Sequence, residues 1–350
     1  MRRSVLEVIA ACVCSSVSMS GVHAQSQSLN GPLELKDFGS FYVHGRVIET
    51  QYPNIPATGL AAPGHITVGQ MYVQYMIPQR TTTLPVIMVH GANHTGKTFE
   101  TTPDGREGWA TYFARHDSPV YIVDHAGRGR SGFDATKINR AKATNDASAL
   151  AAVLQYPREG AWVNFRFGPA FSKPFPDLQF PLDALDQYSA QIVPNTESLL
   201  DGDTANTVEA LQELTNQIGP AIVLVHSQSG GYGLDLVRHG AKVAGLIDVE
   251  GNCAPVSNEE LDTAFKKIAF VSVWGDHSEG AVGFNGDTRR NGCVATVDAL
   301  KQRLADASLL MLPARGITGN SHMMMLDKNN LAIADLLIDW IAQREGLKKQ

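Results

Sequence analysis

The segment His226-Ser227-Gln228-Ser229-Gly230-Gly231 carries the first chemistry legible in this chain. It follows the apolar run 221–225 directly and leads into a helical pattern that starts near Tyr232. A strand that breaks sharply into a helix lifts the side chain at the turn above the C-terminal edge of a parallel sheet, and a serine placed there exposes its hydroxyl for nucleophilic attack. Small residues flank such a serine because the turn presses two backbones together. Ser229 fills the small position after Ser227, whereas Val225 stands at the earlier one, where glycine is usual. Ser227 is the preferred nucleophile, since it directly follows the apolar run with His226 before it and paired glycines after it. Ser229, with small neighbours on both sides, is the alternative. The blander reading is a Ser/Gly-rich loop that binds an anion at a helix N-terminus.

A serine hydroxyl is a weak nucleophile at neutral pH and needs a histidine base, itself oriented by a carboxylate. In a strand-turn-helix arrangement of this kind the chain order is serine, acid, histidine, with the histidine after the last strand. His322, in Gly319-Asn-Ser-His322, follows the apolar run 309–312 and precedes the final helical stripe, so it holds that place. His226 and His90 read as packing or loop-shaping residues, and His277 as a weak competitor for the base. Two strand-like runs end in carboxylates: 243–249 leads to Glu250-Gly-Asn-Cys253, and 268–274 leads to Gly275-Asp276-His277. The later strand is the commoner home of the acid, which favours Asp276, but one residue beyond Gly275 is a short reach toward His322. Residue spacing leaves Glu250 and Asp276 both open. Negative charge developing on a tetrahedral intermediate also needs backbone donors. Met88-Val89-His90-Gly91-Ala92 ends another apolar run, which points to the N–H of Ala92 as one donor and that of Gln228 as the other.

These groups must be positioned by the elements between them. Apolar β-rich runs alternate with helical patterns, which predicts an α/β fold with a mainly parallel sheet covered on both faces. Runs 85–89, 120–123 and 221–225 read as buried central strands, and 243–249, 268–274 and 309–312 continue the series. Residues 68–77 alternate as one strand, with 41–48 as its partner. Helices are expected at 204–218 with Asp203 as N-cap, at 232–239, at 295–305 and at 330–344. Between Asp124 and Ala221 lie about 95 residues, far more than one crossover helix requires. The middle of that segment interleaves Trp162, Phe165, Phe167, Phe171, Phe175 and Phe180 with five prolines between Pro157 and Pro181. It reads as a lid spanning about 135–200 that supplies apolar walls to a pocket, the plainer reading being a surface elaboration with its own small core.

Of 350 residues, 43% are hydrophobic and 18% charged, which describes a soluble globular chain. Lys plus Arg number 29 and Asp plus Glu 35, and the net charge of −6 leaves no broad basic surface for nucleic acid or anionic lipid. Beyond the N-terminus no stretch approaches the roughly eighteen apolar residues of a membrane span. Residues 1–24 differ: Arg2 and Arg3 open an apolar or small-residue stretch that ends in Val22-His23-Ala24, a signal peptide with a cut expected after Ala24. That leaves 25–350 as one domain, exported to the periplasm or beyond. Losing Arg2, Arg3 and Glu7 takes the count to 27 basic against 34 acidic, a net of −7. Cys12 and Cys14 leave with the leader, so Cys253 and Cys293 become a disulfide candidate in an oxidising compartment. Neither a His-Glu-x-x-His cluster nor any other metal-ligand spacing is present, and the expected chemistry needs no cofactor.

Together these residues resemble the α/β-hydrolase superfamily over roughly 84–344. Asp124-His-Ala-Gly127-Arg-Gly-Arg-Ser131 resembles the Asp/Gly/Arg/Ser turn often found after the fourth strand of those enzymes. His90-Gly91, followed by Thr98-Phe-Glu-Thr-Thr-Pro-Asp-Gly-Arg-Glu-Gly-Trp109 and later by His226-Ser-Gln-Ser-Gly230, is similar to a group of secreted bacterial esterases. Their triad is Ser-Glu-His, with the acid after the sixth strand. The resemblance therefore implies Ser227, Glu250 and His322, with Ala92 and Gln228 as oxyanion donors, a small-molecule ester substrate and a homodimer. The chain departs from that group at Ala92-Asn93, where the oxyanion loop can carry adjacent cysteines. The expected activity is hydrolysis of carboxylic esters through an acyl-enzyme. A lactonase or amidase with the same triad, and a catalytically silent binding protein of the same fold, are the alternatives.

Overall fold

The computed structural model describes residues 31–50, 64–279, 281 and 286–349; the expected leader and its cut after Ala24 lie outside them. In chain order the elements are β1 (Leu35–Val43), β2 (Arg46–Thr50), β3 (Gly64–Val68), β4 (Met71–Pro78), β5 (Val86–Val89), α1 (Trp109–Arg115), β6 (Val120–Asp124), α2 (Thr136–Thr144), α3 (Arg158–Asn164) and α4 (Leu185–Ala190). There follow α5 (Ala205–Ile218), β7 (Ala221–His226), α6 (Gly230–Arg238), β8 (Val243–Val249), α7 (Asn258–Thr263), β9 (Ala269–Trp274), α8 (Asp287–Gln302), β10 (Ala307–Met311) and α9 (Asn330–Ala342).

Among the described residues one sheet of eight strands runs in the order β1-β4-β6-β5-β7-β8-β9-β10. Its first two pairings are antiparallel and the rest parallel. Strands covered on both faces need apolar side chains at every position, and β5 and β7 are buried throughout. Alternation splits those side chains between two cores. Val86, Met88, Ile222, Leu224, Ile247 and Val249 face one cluster with Trp109, Phe113, Leu337 and Ile341. Ile87, Val89, Val223, Val225 and Leu246 face the other, with Leu211, Leu214, Leu236 and Val297. The predicted α/β architecture is the one observed.

Local expectations shift where left-handed backbone intervenes. The strand expected at 68–77 is two strands, because Gly69 (φ +76) breaks the run between β3 and β4. Its partner at 41–48 breaks at the same level, where His44 (φ +60) and Gly45 (φ +97) separate β1 from β2. Val43 still pairs with Met71, and Arg46 with Val68, so the pairing holds while the strands divide. Asp203 (φ +42) does not cap α5; Thr204 occupies the N-cap, without a side-chain capping bond. Helix α8 starts eight residues before the expected position, since its first turns, Asp287-Thr-Arg-Arg-Asn-Gly, are polar and leave no apolar stripe to read. Cys253 and Cys293 form the expected disulfide, with Cα atoms 4.7 Å apart, joining the loop after β8 to α8.

The segment between β6 and β7 is packed into the larger cluster. Trp162, Phe165, Phe167, Phe180 and Tyr188 are buried there together with Met323, Met324 and Met325 of the loop after β10. Phe171 stays exposed, and Phe175 stacks on His277.

Candidate active site

Ser227 stands at the end of β7 with φ +55, a conformation that a non-glycine residue holds only when its surroundings impose it. Two close approaches impose it here. A Cβ on Gly91 would lie 2.9 Å from His226 Nδ1 and 3.0 Å from Ser227 Cβ. One on Gly230 would lie 2.1 Å from the Asn252 nitrogen. The glycines expected around the elbow are thus required at Gly230, whereas Gly231 faces open space. Ser229 is placed differently from Ser227: its Oγ lies 2.6 Å from the His90 carbonyl, 2.9 Å from that of His226 and 3.0 Å from that of Val89. That hydroxyl braces the ends of β5 and β7 from a fully buried position.

His322 lies in the loop after β10, which Asp327 organises by accepting from Ser321 N (2.8 Å), Ser321 Oγ (2.7 Å) and Asn320 Nδ2 (2.9 Å). The imidazole Nδ1 of His322 is 2.6 Å from Glu250 Oε2, and both residues are fully buried. A carboxylate accepting from Nδ1–H leaves Nε2 as the proton-accepting nitrogen, and Nε2 makes no hydrogen bond among the described residues. The His322 carbonyl accepts from His226 Nε2 at 2.9 Å, and the two rings are 4.7 Å apart. This ties His322 to the residue next to Ser227.

Glu250 follows β8 with φ +47, and its Oε1 accepts from Gly275 N at 2.9 Å and from Arg166 Nη2 at 2.5 Å. Burial alone would push its carboxyl up; the Arg166 charge and the His322 contact outweigh it and bring the carboxyl down to about 2. Burial lowers His322 to about 4, helped by Arg166 and Arg289 and opposed by Glu250. Asp276 is elsewhere: its carboxylate accepts from Gly319 N, and burial raises it. His277 bonds Asp177 at 2.9 Å and stacks on Phe175 at 3.7 Å. Neither supplies the hydrogen bond to the His322 imidazole, whose Nδ1 is taken by Glu250.

The loop after β5 is fixed through one peptide. The Gly91 carbonyl accepts from His90 Nδ1 (2.9 Å) and from Arg128 Nη1 (3.0 Å). Because a trans peptide points its N–H opposite to its C=O, anchoring that carbonyl also sets the direction of the Ala92 N–H. Gln228 occupies the first turn into α6, where N–H groups lack intrahelical acceptors. Its side chain bonds Arg128 (3.2 Å) and Glu197 (3.4 Å), which are themselves a buried ion pair. Arg128 thereby couples the loop carrying Ala92 to the turn carrying Ser227. Asp124, in the same turn motif, bonds Gly96 N (2.7 Å) and Arg130 Nε (2.8 Å), a scaffold for that loop.

Arg166, Glu197 and Arg289 escaped the sequence reading. Arg289 Nη1 is 3.4 Å from Ser227 Oγ, projecting from the polar first turn of α8. The signal for Arg166 was present: a lone cation within Phe165-Arg-Phe167, where burial of a charge requires a partner. Of the ligand-type groupings among the described residues, Asp248 with Cys253 and Cys293 has no thiolate left after disulfide formation, and Asp177, Asp276 and His277 are partly engaged with one another.

No family model matches the chain. A solved structure described as a novel bacterial esterase superposes with a TM-score of 0.84 at 38% identity, covering 91% of this chain and 98% of its own. "Probable secreted lipase phiG" of a fungal species is 27% identical over 320 residues, spanning 78% of this chain and 86% of its own length.

Proposed function

From a chain that belongs to the α/β-hydrolase family of esterases, we propose a secreted or periplasmic serine hydrolase that cleaves carboxylic esters with Ser227, His322 and Glu250. Ser227 Oγ attacks the ester carbonyl while His322 Nε2 takes its proton, and Glu250 stabilises the imidazolium that results. The N–H groups of Ala92 and Gln228 receive the oxyanion. Collapse breaks the bond to the alkoxide, which leaves as the alcohol with the proton from His322. Water, deprotonated by the same nitrogen, then attacks the acyl-enzyme, and the acid departs as Ser227 recovers its hydrogen.

The observation that carries this reading is the buried His322 Nδ1–Glu250 Oε2 bond of 2.6 Å, with Nε2 left without a partner among the described residues. In free enzymes the bond from nucleophile to base is often long and tightens with substrate. The segment between β6 and β7 serves as the lid, its aromatic residues walling an apolar site. The Cys253–Cys293 disulfide and the expected leader support export.

Hydrolysis of p-nitrophenyl acetate and butyrate by the mature chain, compared across Ser227→Ala, Ser229→Ala, Glu250→Gln and Asp276→Asn, tests the assignment. Loss with Ser227→Ala and Glu250→Gln alone is the expected result. Activity that survives Ser227→Ala overturns it.

A further inference from the structure

The acid proposed for this site has a permanent counter-charge. Arg166 Nη2 lies 2.5 Å from Glu250 Oε1, with both side chains 2% exposed or less. The other oxygen of the same carboxylate bonds His322, so one carboxylate is shared between a guanidinium and the base. Arg166 comes from none of the strand ends that position the rest of the site; it follows α3, in the segment between β6 and β7. Its backbone is left-handed (φ +57), its Nε donates to the Asp276 carbonyl at 2.9 Å, and the Phe165 carbonyl beside it accepts from His322 N at 2.9 Å. The Phe165 ring lies parallel to the imidazole, 5.7 Å away and inclined by 3°. Two consecutive residues of this segment therefore hold both the base and its carboxylate.

We propose that Arg166 is a positioning residue for the reaction, offsetting the charge of Glu250 so that His322 stays neutral, and competent as a base, into mildly acidic conditions. This rests on the Ser227-His322-Glu250 reading. A carboxylate with no counter-charge favours the imidazolium beside it; sharing that carboxylate with a guanidinium weakens the effect. The other charged or titratable groups around His322 act in known directions. Arg289 on α8 disfavours its protonation, and so do His94 after β5 and His226 at the end of β7 whenever they are charged, while Asp327 and Asp248 lie close enough to repel Glu250. Burial lowers His94 to about 4 and holds His226 well below the ordinary range, so neither is charged near neutrality. Among the described residues Arg166 and Arg289 are thus the cations that oppose Glu250, and of these Arg166 touches the carboxylate itself.

The test is the pH profile of kcat/KM for p-nitrophenyl acetate, from stopped assays on the mature chain carrying Arg166→Gln or Arg166→Lys. Arg166→Gln is expected to move the acid limb upward by about one pH unit, and Arg166→Lys, which keeps the charge, to recover most of that displacement. An acid limb that stays in place while the rate falls evenly at every pH gives Arg166 a merely structural role and overturns the proposal. If Arg166→Gln does not fold, NMR titration of the imidazole in Arg166→Met against wild type decides, with His322→Asn identifying the signal. A midpoint that rises in Arg166→Met is expected, and one that stays where the wild type has it overturns the proposal. Failure of the underlying reading is visible separately, as esterase activity that persists in Ser227→Ala.

Discussion

The strand ends and the segment between β6 and β7 contribute to the same site in different ways. Loops at the ends of β5, β7, β8 and β10 bring Ala92, Ser227, Glu250 and His322, the groups that in the proposed reaction exchange protons, attack the carbonyl or face the charge that develops. The segment between β6 and β7 brings Arg166 and Phe165, which meet Glu250 by an ion pair and His322 by ring contact, and Asn195 and Glu197, which bond Asn93 beside Ala92 and Gln228 beside Ser227. A parallel sheet fixes where its strand ends fall, so any chain with this strand order has positions ready for reacting groups. What surrounds them is set by a segment free to differ. The proposed chemistry thus resides on the sheet, and its tuning in the segment that crosses it.

The sharpest way to break this comparison sets one strand-end carboxylate against another. Glu250→Gln should lower kcat about 10⁴-fold, because the imidazole loses both its tautomer and its counter-ion. Asp276→Asn should change it only a few-fold, since that carboxylate bonds Gly319 N rather than His322. Steady-state kinetics on both variants checks this, and comparable losses would remove the distinction between the two strand ends.

A next test falls on the other region. Glu197 pairs with Arg128 in a position with almost no solvent exposure, and removing one member strands a buried charge. Glu197→Gln should cost roughly 3–5 kcal/mol in urea unfolding, and Arg128→Met with Glu197→Leu should recover much of it. A Glu197→Gln chain as stable as wild type would mean that this ion pair does not hold the segment together.

Smaller again is the disulfide. Replacing both Cys253 and Cys293 by serine frees a loop with a sequence separation of 40 and should lower stability by about 2–4 kcal/mol, read from denaturant midpoints. Retained esterase activity in the folded fraction would show that the disulfide serves stability rather than chemistry.

The last expectation is a pH dependence, read as a slope of stability rather than as a loss of it. Burial raises Asp248 from 3.8 to about 7. An acid raised on folding contributes stability that is fully present below its unfolded value and is lost as pH rises through the folded one. Wild type should therefore lose stability between pH 3.8 and about 7 from this group, and Asp248→Asn should flatten that part of the Tm profile. Glu250 runs the opposite way: lowered to about 2, it contributes stability above 4.5 that is lost as pH falls through about 2. A Tm profile unchanged by Asp248→Asn would contradict the assignment.

These two regions also differ in how far the sequence reveals them. Val86-Ile-Met-Val89 and Ala221-Ile-Val-Leu-Val225 read as buried strands because only central parallel strands need apolar residues at every position. Ser227 and His322 are legible because each follows such a run at a point where the chain must turn. The choice between Glu250 and Asp276 is not, since both follow strands, and what separates them is the side chain each meets across the sheet edge. Arg166 and Glu197 belong to a segment of short helices whose partners, Glu250 and Arg128, lie 84 and 69 residues away in sequence. No local periodicity encodes such pairings. Helix α8 was half legible for a related reason: its packed end carries Cys293, Val297 and Leu300, while its polar start, with Arg289, has no stripe.

The central claim is that Ser227 is the activated nucleophile. Labelling the mature chain with a fluorophosphonate and locating the adduct by peptide mass spectrometry tests it most directly. One adduct is expected, on Ser227, that disappears in His322→Ala and is unaffected by Ser229→Ala. An adduct on Ser229, or no labelling of a chain that hydrolyses p-nitrophenyl acetate, would contradict it.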